Sequence, residues 1–396
     1  MDSALGLNLR ARIRFGAVDI GAPLNGFRRA RRENNINGGR ETGRRNLRNP
    51  LLGPQGICAA TSLTFGNPGM DGLTDIAMGF DACYAPHAAN AMASIARHAP
   101  GARLRFILLY TGLDEALRRR IEAAVKGADF LWIEVTDEAL PVYTTRGYIS
   151  RAMLFRLGLE KLAPADVSRV VYIDADTVVL GDVRELWNAD LGGHPIGAVT
   201  EYGQDPEKFA AAWGLPPGGR YFNSGVIVID LKKVRAEKLF SRALDFVVEH
   251  DDEAKLPFPD QHALNYIFWK NSAVLEPTWN VHAYLTPGKV RGETAPDRRW
   301  GHATPRLIHY IGGKKPWMRD VWVPWAWAYW ENMNRTPFAK DIKRSFGMGF
   351  PQIARLRLRW WLWRPGRTHF FGMRFLQMMR LRLRKGTRQT GYGATY

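Results

Sequence analysis

Cysteine is nearly absent: Cys58 and Cys83 are the only two in 396 residues. Two thiols cannot build a disulfide framework or a four-cysteine zinc site, and so little cysteine fits a reducing compartment. Long hydrophobic runs are also missing. No stretch of 18 apolar residues occurs, so no membrane-spanning helix is expected. Arg10, Arg12 and Arg14 are not followed by an apolar core, so the start does not read as a secretory signal. Acidic residues are scarce at both ends. Residues 1–70 hold 11 Arg and 4 Asp or Glu, and residues 340–396 hold 14 Arg or Lys against the single acid Asp341. The net charge of +18 therefore sits in the two ends and leaves the middle near neutral. Basic ends of this kind point to a polyanion, either nucleic acid or an anionic membrane surface.

Residues 1–70 are rich in Arg, Asn and Gly with little periodicity, which predicts disorder. Regular patterning begins just after Met70, which makes Met70 a candidate start. Strands and helices then alternate. Thr74–Phe80, Leu104–Tyr110, Phe130–Val135 and Val170–Ile173 read as apolar strands. Ala85–His98, opening on Pro86, reads as a helix, as do Asp114–Val125, capped by Asp114, and Ile149–Leu159. Phe222–Leu231 is a further apolar strand, and Asp260–Trp269 a further helix. This alternation predicts an α/β fold with a mainly parallel sheet flanked by helices, whose ligands bind at the carboxyl ends of strands. Asp174 stands at such an end.

Two carboxylates one residue apart, Asp174 and Asp176, follow the buried strand and are spaced to reach one hard cation. With 22 Asp in the chain, about one Asp-x-Asp is expected by chance. The pair gains meaning from its setting, between an apolar strand and the apolar Val178-Val179-Leu180. Five segments extend the pattern: Asp75–Tyr84, Ser150–Leu157, Tyr172–Val179, Tyr221–Leu231 with Pro259–Asn265, and His309–Trp317. In this order they resemble glycosyltransferase family 8, a retaining family that includes bacterial lipopolysaccharide galactosyl- and glucosyltransferases.

That resemblance covers roughly residues 74–330. It implies a GT-A fold over residues 71–335, a UDP-hexose donor, a saccharide acceptor such as lipopolysaccharide, and Mn²⁺ or Mg²⁺. It assigns Asp174, Asp176 and His309 to the metal. It places Asp81 and Tyr84 at the nucleotide base, although Ala82-Cys83 departs from the Asp-Asn of relatives, and Tyr84 suits core packing equally. It places Arg156 near the donor, where a helix-surface ion pair is as good a reading. Asn223 and Ser224 fall at the donor sugar, and Gly312, Gly313 and Lys315 at the diphosphate. Asp260 and Gln261 fall beside the anomeric carbon as the catalytic pair, although Asp260 equally suits a helix N-cap after Pro259. Intact candidate ligands favour an enzyme over a non-catalytic binding protein of the same fold.

The basic end, residues 336–396, interleaves cations with Trp, Phe, Leu and Met, densest at Arg355–Trp363 and Met378–Arg384. No clean helical stripe runs through these stretches. The mixture suits an anionic bilayer more than nucleic acid, because an enzyme with a lipid-borne acceptor gains from surface attachment. The expected place is the inner face of a bacterial cytoplasmic membrane, held peripherally from the cytoplasm by residues 340–396.

Overall fold

The computed structural model describes residues 72–140, 151–201, 203–250, 256–284, 305–319 and 321–363, with side chains to 359. The expectations for residues 1–70, for Met70 and for residues 364–396 lie outside the described residues. All described residues belong to one unit, Pro68–Thr387.

In chain order the strands are β1 (Leu73–Asp81), β2 (Arg103–Thr111), β3 (Asp129–Glu134), β4 (Arg169–Ile173), β5 (Thr177–Val179), β6 (Ile196–Thr200), β7 (Phe222–Asp230), β8 (Ser272–Val274), β9 (Val281–His282) and β10 (Leu307–His309). Seven form one sheet in the order β3-β2-β1-β4-β7-β6-β8. Every strand in it runs the same way except β7, which is antiparallel to both β4 and β6. The mainly parallel sheet read from the sequence is what forms.

Its two faces explain why the strands read as unbroken apolar runs. Ile76, Met78 and Phe80 of β1, Val171 and Ile173 of β4, and Val226 and Val228 of β7 join one core. Ala77, Val170, Tyr172, Ile227 and Ile229, the alternating neighbours, join the other. Side chains in a strand point alternately to opposite faces, so a strand covered on both sides loses its polar positions. The first core is closed by α1 (Ala85–His98) and the second by α3 (Phe155–Leu162) with α7 (Leu239–Glu249) and α8 (Pro259–Ile267).

Helix starts follow their sequence signals in part. Asp114 caps α2 (Glu115–Glu122) by accepting from the Leu117 N–H at 2.7 Å. The helix expected over Ile149–Leu159 is instead a 3-10 turn, Arg151–Leu154, leading into α3. Its first two residues lie outside the described residues. The residue that caps α8 is Phe258, with no side-chain bond, so Asp260 is not an N-cap and its carboxylate is turned elsewhere.

A second sheet, in the order β5-β10-β9, positions the chemistry. β5 and β10 pair antiparallel with His309 opposite Thr177, and β9 lies parallel to β10 with His282 beside His309. The Asp174–Asp176 turn therefore runs from the first sheet into the second, and β10 delivers a histidine beside it. Towards the C-terminus, α9 (Ala326–Met333) packs on α1, where Asn332 donates to the Asn90 side-chain oxygen at 2.8 Å. Arg120 holds α10 (Ala339–Ser345) by bonds to the Pro337 carbonyl and Asp341 and lies over the Phe338 ring. The final described helix, α11 (Phe350–Trp363), packs on α9. None of the described helices is long and apolar enough to cross a membrane.

Candidate active site at the carboxyl end of β4 and the amino end of β7

Asp174, Asp176 and His309 converge: one ligand atom from each lies within 4.8 Å of the others. His309 Nε2 stands 3.2 Å from Asp176 Oδ1 and 3.6 Å from Asp174 Oδ2. The turn is fixed by its backbone, since the Asp174 N–H donates to the Gly225 carbonyl of β7 at 2.8 Å. His309 is oriented from behind, with Nδ1 3.0 Å from Asn280 Oδ1. With a cation bound, a proton on Nδ1 donated to that amide oxygen would leave the Nε2 lone pair for the ion. This is how metal-binding imidazoles are commonly held. Two carboxylates and a neutral imidazole form a donor set suited to a divalent cation of the Mg²⁺ or Mn²⁺ type.

Space at this turn requires a glycine. A Cβ built on Gly225 would lie 2.2 Å from His309 Cε1 and 2.6 Å from Asp174 Oδ2. The φ of Gly225 is not positive, so its backbone does not demand glycine. The room taken by the candidate ligands does. Gly225 was not singled out from the sequence, although a glycine inside an apolar strand signals close approach of another group.

Two buried cations balance the acids. Arg156 is 4% exposed, so the surface ion pair is not what forms. Its Nη2 lies 2.8 Å from Asp174 Oδ1 and its Nε 3.2 Å from Asp260 Oδ2, while Nη1 donates to the Ser224 carbonyl. The Tyr172 hydroxyl donates to Asp174 Oδ1 at 3.0 Å, and the guanidinium lies over that tyrosine ring. Lys315 is buried and bonds Asp176 Oδ2 and the Tyr310 carbonyl, whereas Lys314 beside it is exposed. Burial raises the Asp174 carboxyl above the usual range, with Arg156 pulling the other way. At Asp176 burial also pushes upward, but Lys315 and His309 outweigh it and hold the acid far below that range. Burial lowers the Lys315 ammonium pKa, and Asp176 more than reverses this.

Hydrogen bonds join this cluster to the predicted sugar-side residues. Asn280 Nδ2 donates to Asn223 Oδ1 at 2.8 Å. Asn223 Nδ2 donates to Gln261 Oε1 at 3.1 Å and to Glu201 Oε2 at 3.0 Å. Gln261 Oε1 also accepts from the Ser224 N–H at 3.1 Å, and its Nε2 is 3.4 Å from the Tyr221 hydroxyl. Ser224 Oγ donates to Asp260 Oδ2 at 3.0 Å. Asn223, Ser224, Asp260 and Gln261 therefore share one buried hydrogen-bond network. Glu201 and Asn280, which belong to it, gave no signal in the sequence: each is a lone polar residue outside any motif.

At the end of β1, Asp81 Oδ1 accepts from the Tyr84 N–H at 3.0 Å and shapes the turn into α1. The Tyr84 ring is half-buried against the edges of His87 and Trp317. Gly312 and Gly313 are exposed, Gly312 with φ 71°, and a Cβ on either would meet nothing within 4 Å. Their backbone is open to an approaching anion.

The sequence profile of "Glycosyl transferase family 8" matches residues 75–321. General stress protein A of Bacillus subtilis is 27% identical over 262 residues, covering 64% of this chain and 90% of that protein. Lipopolysaccharide 1,2-glucosyltransferase of Escherichia coli K12 is 31% identical over 198 residues, covering 50% of this chain and 58% of that protein. The crystal structure of the galactosyltransferase LgtC, in complex with donor and acceptor sugar analogues, superposes with a TM-score of 0.59 at 27% identity. It covers 69% of this chain and 99% of LgtC.

Proposed function

The chain belongs to glycosyl transferase family 8, and from that premise we propose that it moves galactose or glucose from a UDP-sugar to a saccharide acceptor with retention of configuration. The observation that carries this reading is the convergence of Asp174, Asp176 and His309 beside Lys315. Lipopolysaccharide or another cell-surface glycan is the proposed acceptor, in keeping with the activity named for the Escherichia coli relative.

In this reading Asp174, Asp176 and His309 hold Mn²⁺ or Mg²⁺, which supplies positive charge to the oxygens of a diphosphate leaving group. Lys315 adds a point charge for the same group, and the open backbone of Gly312 and Gly313 adds N–H donors. Asp81 and Tyr84 receive the base, by hydrogen bond and ring contact. Arg156 pairs with the Asp174 and Asp260 carboxylates and fixes them in place, and Asn223, Ser224 and Asp260 present hydrogen-bonding groups to the sugar. Gln261 lies beside the anomeric carbon. An amide is a poor covalent nucleophile beside a carboxylate, and the Gln261 oxygen is already held by two N–H donors. Departure and attack on one face of the sugar follow, with Gln261 stabilising developing positive charge.

Residues 340–396 are the proposed contact with an anionic membrane at the cytoplasmic face. Among the described residues, Phe350 and Leu358 of α11 are exposed apolar side chains on a helix that also carries Arg355, Arg357 and Arg359. The function is tested by offering the purified protein a panel of nucleotide-sugars with Mn²⁺ and following hydrolysis and transfer. Selective turnover of a UDP-hexose, with product of retained configuration, is the expected result. Inactivity across the panel, or inverted product, overturns the proposal.

A further inference from the structure

One buried side chain joins the turn carrying Tyr84 to the loop carrying Lys315, and the chemistry above does not use it. His87, on the first turns of α1, is 3% exposed. Its ring lies nearly parallel to Trp317, with centroids 3.6 Å apart and planes 13° apart. Its Nδ1 is 2.8 Å from the Tyr329 hydroxyl on α9. Tyr84 meets the edges of both rings, 5.6 Å from His87 and 6.2 Å from Trp317. Trp317 follows Lys315 across Pro316, and the Lys315 ammonium lies 6.0 Å from the Trp317 centroid. Pro316 has its φ fixed by its ring, and its carbonyl accepts from Trp330 Nε1 at 2.9 Å, so little slack separates Trp317 from Lys315. Burial lowers the His87 pKa to about 3, so the imidazole stacks as a neutral ring and adds no charge beside Lys315.

We propose that His87 is a positioning residue: stacked on Trp317 and tethered to Tyr329, it fixes Lys315 relative to Tyr84 and so sets the spacing available between the base and the diphosphate of a bound nucleotide. The nucleotide part rests on the donor reading above. A side chain that merely filled the core would be replaced without consequence by an aliphatic group of similar size. A clamp needs a flat ring.

The test compares His87→Leu, which keeps bulk without a ring, with His87→Phe, which keeps the ring. Amide hydrogen exchange over residues 311–317 is followed in the ligand-free protein, and UDP binding with Mn²⁺ is measured by calorimetry. The clamp predicts faster exchange and about tenfold weaker UDP binding in His87→Leu, a loss comparable to one aromatic pair. It predicts a smaller loss in His87→Phe, which keeps the stacked ring and gives up only the bond to Tyr329. Tyr329→Phe removes only the tether, and is expected to shift both readouts the same way by less. It keeps the question decidable if His87→Leu does not fold. Wild-type exchange in both His87→Leu and Tyr329→Phe, or equal losses in the Leu and Phe variants, overturns the proposal. Failure of the wild-type protein to bind UDP overturns the donor reading, while the exchange data still decide whether His87 holds the loop.

Discussion

Replacing Gly225 by alanine adds one methyl group and should disable the metal site while leaving the fold intact. The new Cβ would stand 2.2 Å from His309 Cε1 and 2.6 Å from Asp174 Oδ2. Ordinary contact begins near 3.4 Å, so the imidazole has to retreat by about 1.2 Å and the carboxylate by about 0.8 Å. Two of three candidate ligands would move, and misplacement by about 1 Å is enough to cost on the order of 10²-fold in rate. The backbone itself accepts alanine, since φ at Gly225 is not positive. A strand glycine free of such neighbours gains from this substitution by about 0.5–1 kcal/mol of chain entropy. The assay is Mn²⁺ affinity by calorimetry together with turnover, and thermal unfolding reports the fold. Gly197→Ala is the control: its Cβ would press on Leu191 Cδ2 at 2.7 Å, in the core, and should lower stability while leaving metal affinity unchanged. A Gly225→Ala protein with wild-type Mn²⁺ affinity and turnover would refute the placement of the ligands.

Asn280→Ala removes the acceptor behind His309, and should weaken Mn²⁺ binding by roughly 10- to 100-fold with all three ligands present; unchanged affinity in calorimetry would show that the amide does not orient the ring. Arg156→Met strands the Asp260 and Asp174 carboxylates beside a vanished partner, and should cost about 3–5 kcal/mol in urea unfolding; a loss below about 1 kcal/mol contradicts the ion-pair account. The pKa of His87 is lowered to about 3, so between that value and 6.5 the unfolded chain takes up a proton that the folded protein refuses. Stability is therefore lost as pH falls through 6.5, by about 2 kcal/mol at pH 5 from this residue alone. His87→Phe should lack that share of the acid sensitivity in denaturation curves at pH 7 and pH 5, and identical sensitivity would contradict it.

Strands β1, β2, β4 and β7 were legible because both faces are covered, which turns each one into an apolar run, whereas β6, five residues long, was not read from the sequence. The site was legible where residues fall in motifs. Asp174 and Asp176 leave β4 together, and His309 reaches them because β10 pairs with β5. β5 itself is three residues long, too short for periodicity to declare, as are β8 and β10. The network behind the ligands was not legible. Asn280 and Glu201 acquire their roles through Asn223, 57 and 22 residues away along the chain, and no local pattern encodes such contacts. Arg156 read equally well as a surface ion pair, since helix position says nothing about which face is covered. Asp260 had the position of a cap, but Ser224 and Arg156 draw its carboxylate away from the helix start. Gly225 was the one omission that carried a sequence signal.

The role proposed for Asp174, Asp176 and His309 is metal-dependent transfer from a nucleotide-sugar. Its most direct test is the rate of UDP release from the donor that the panel selects, measured for the wild-type protein and Asp174→Ala with a chelator and with restored Mn²⁺. The expected result is wild-type turnover that the chelator abolishes and Mn²⁺ restores, and none above background in Asp174→Ala under either condition. Wild-type turnover unaffected by the chelator, or an Asp174→Ala protein turning over at the wild-type rate, would contradict it.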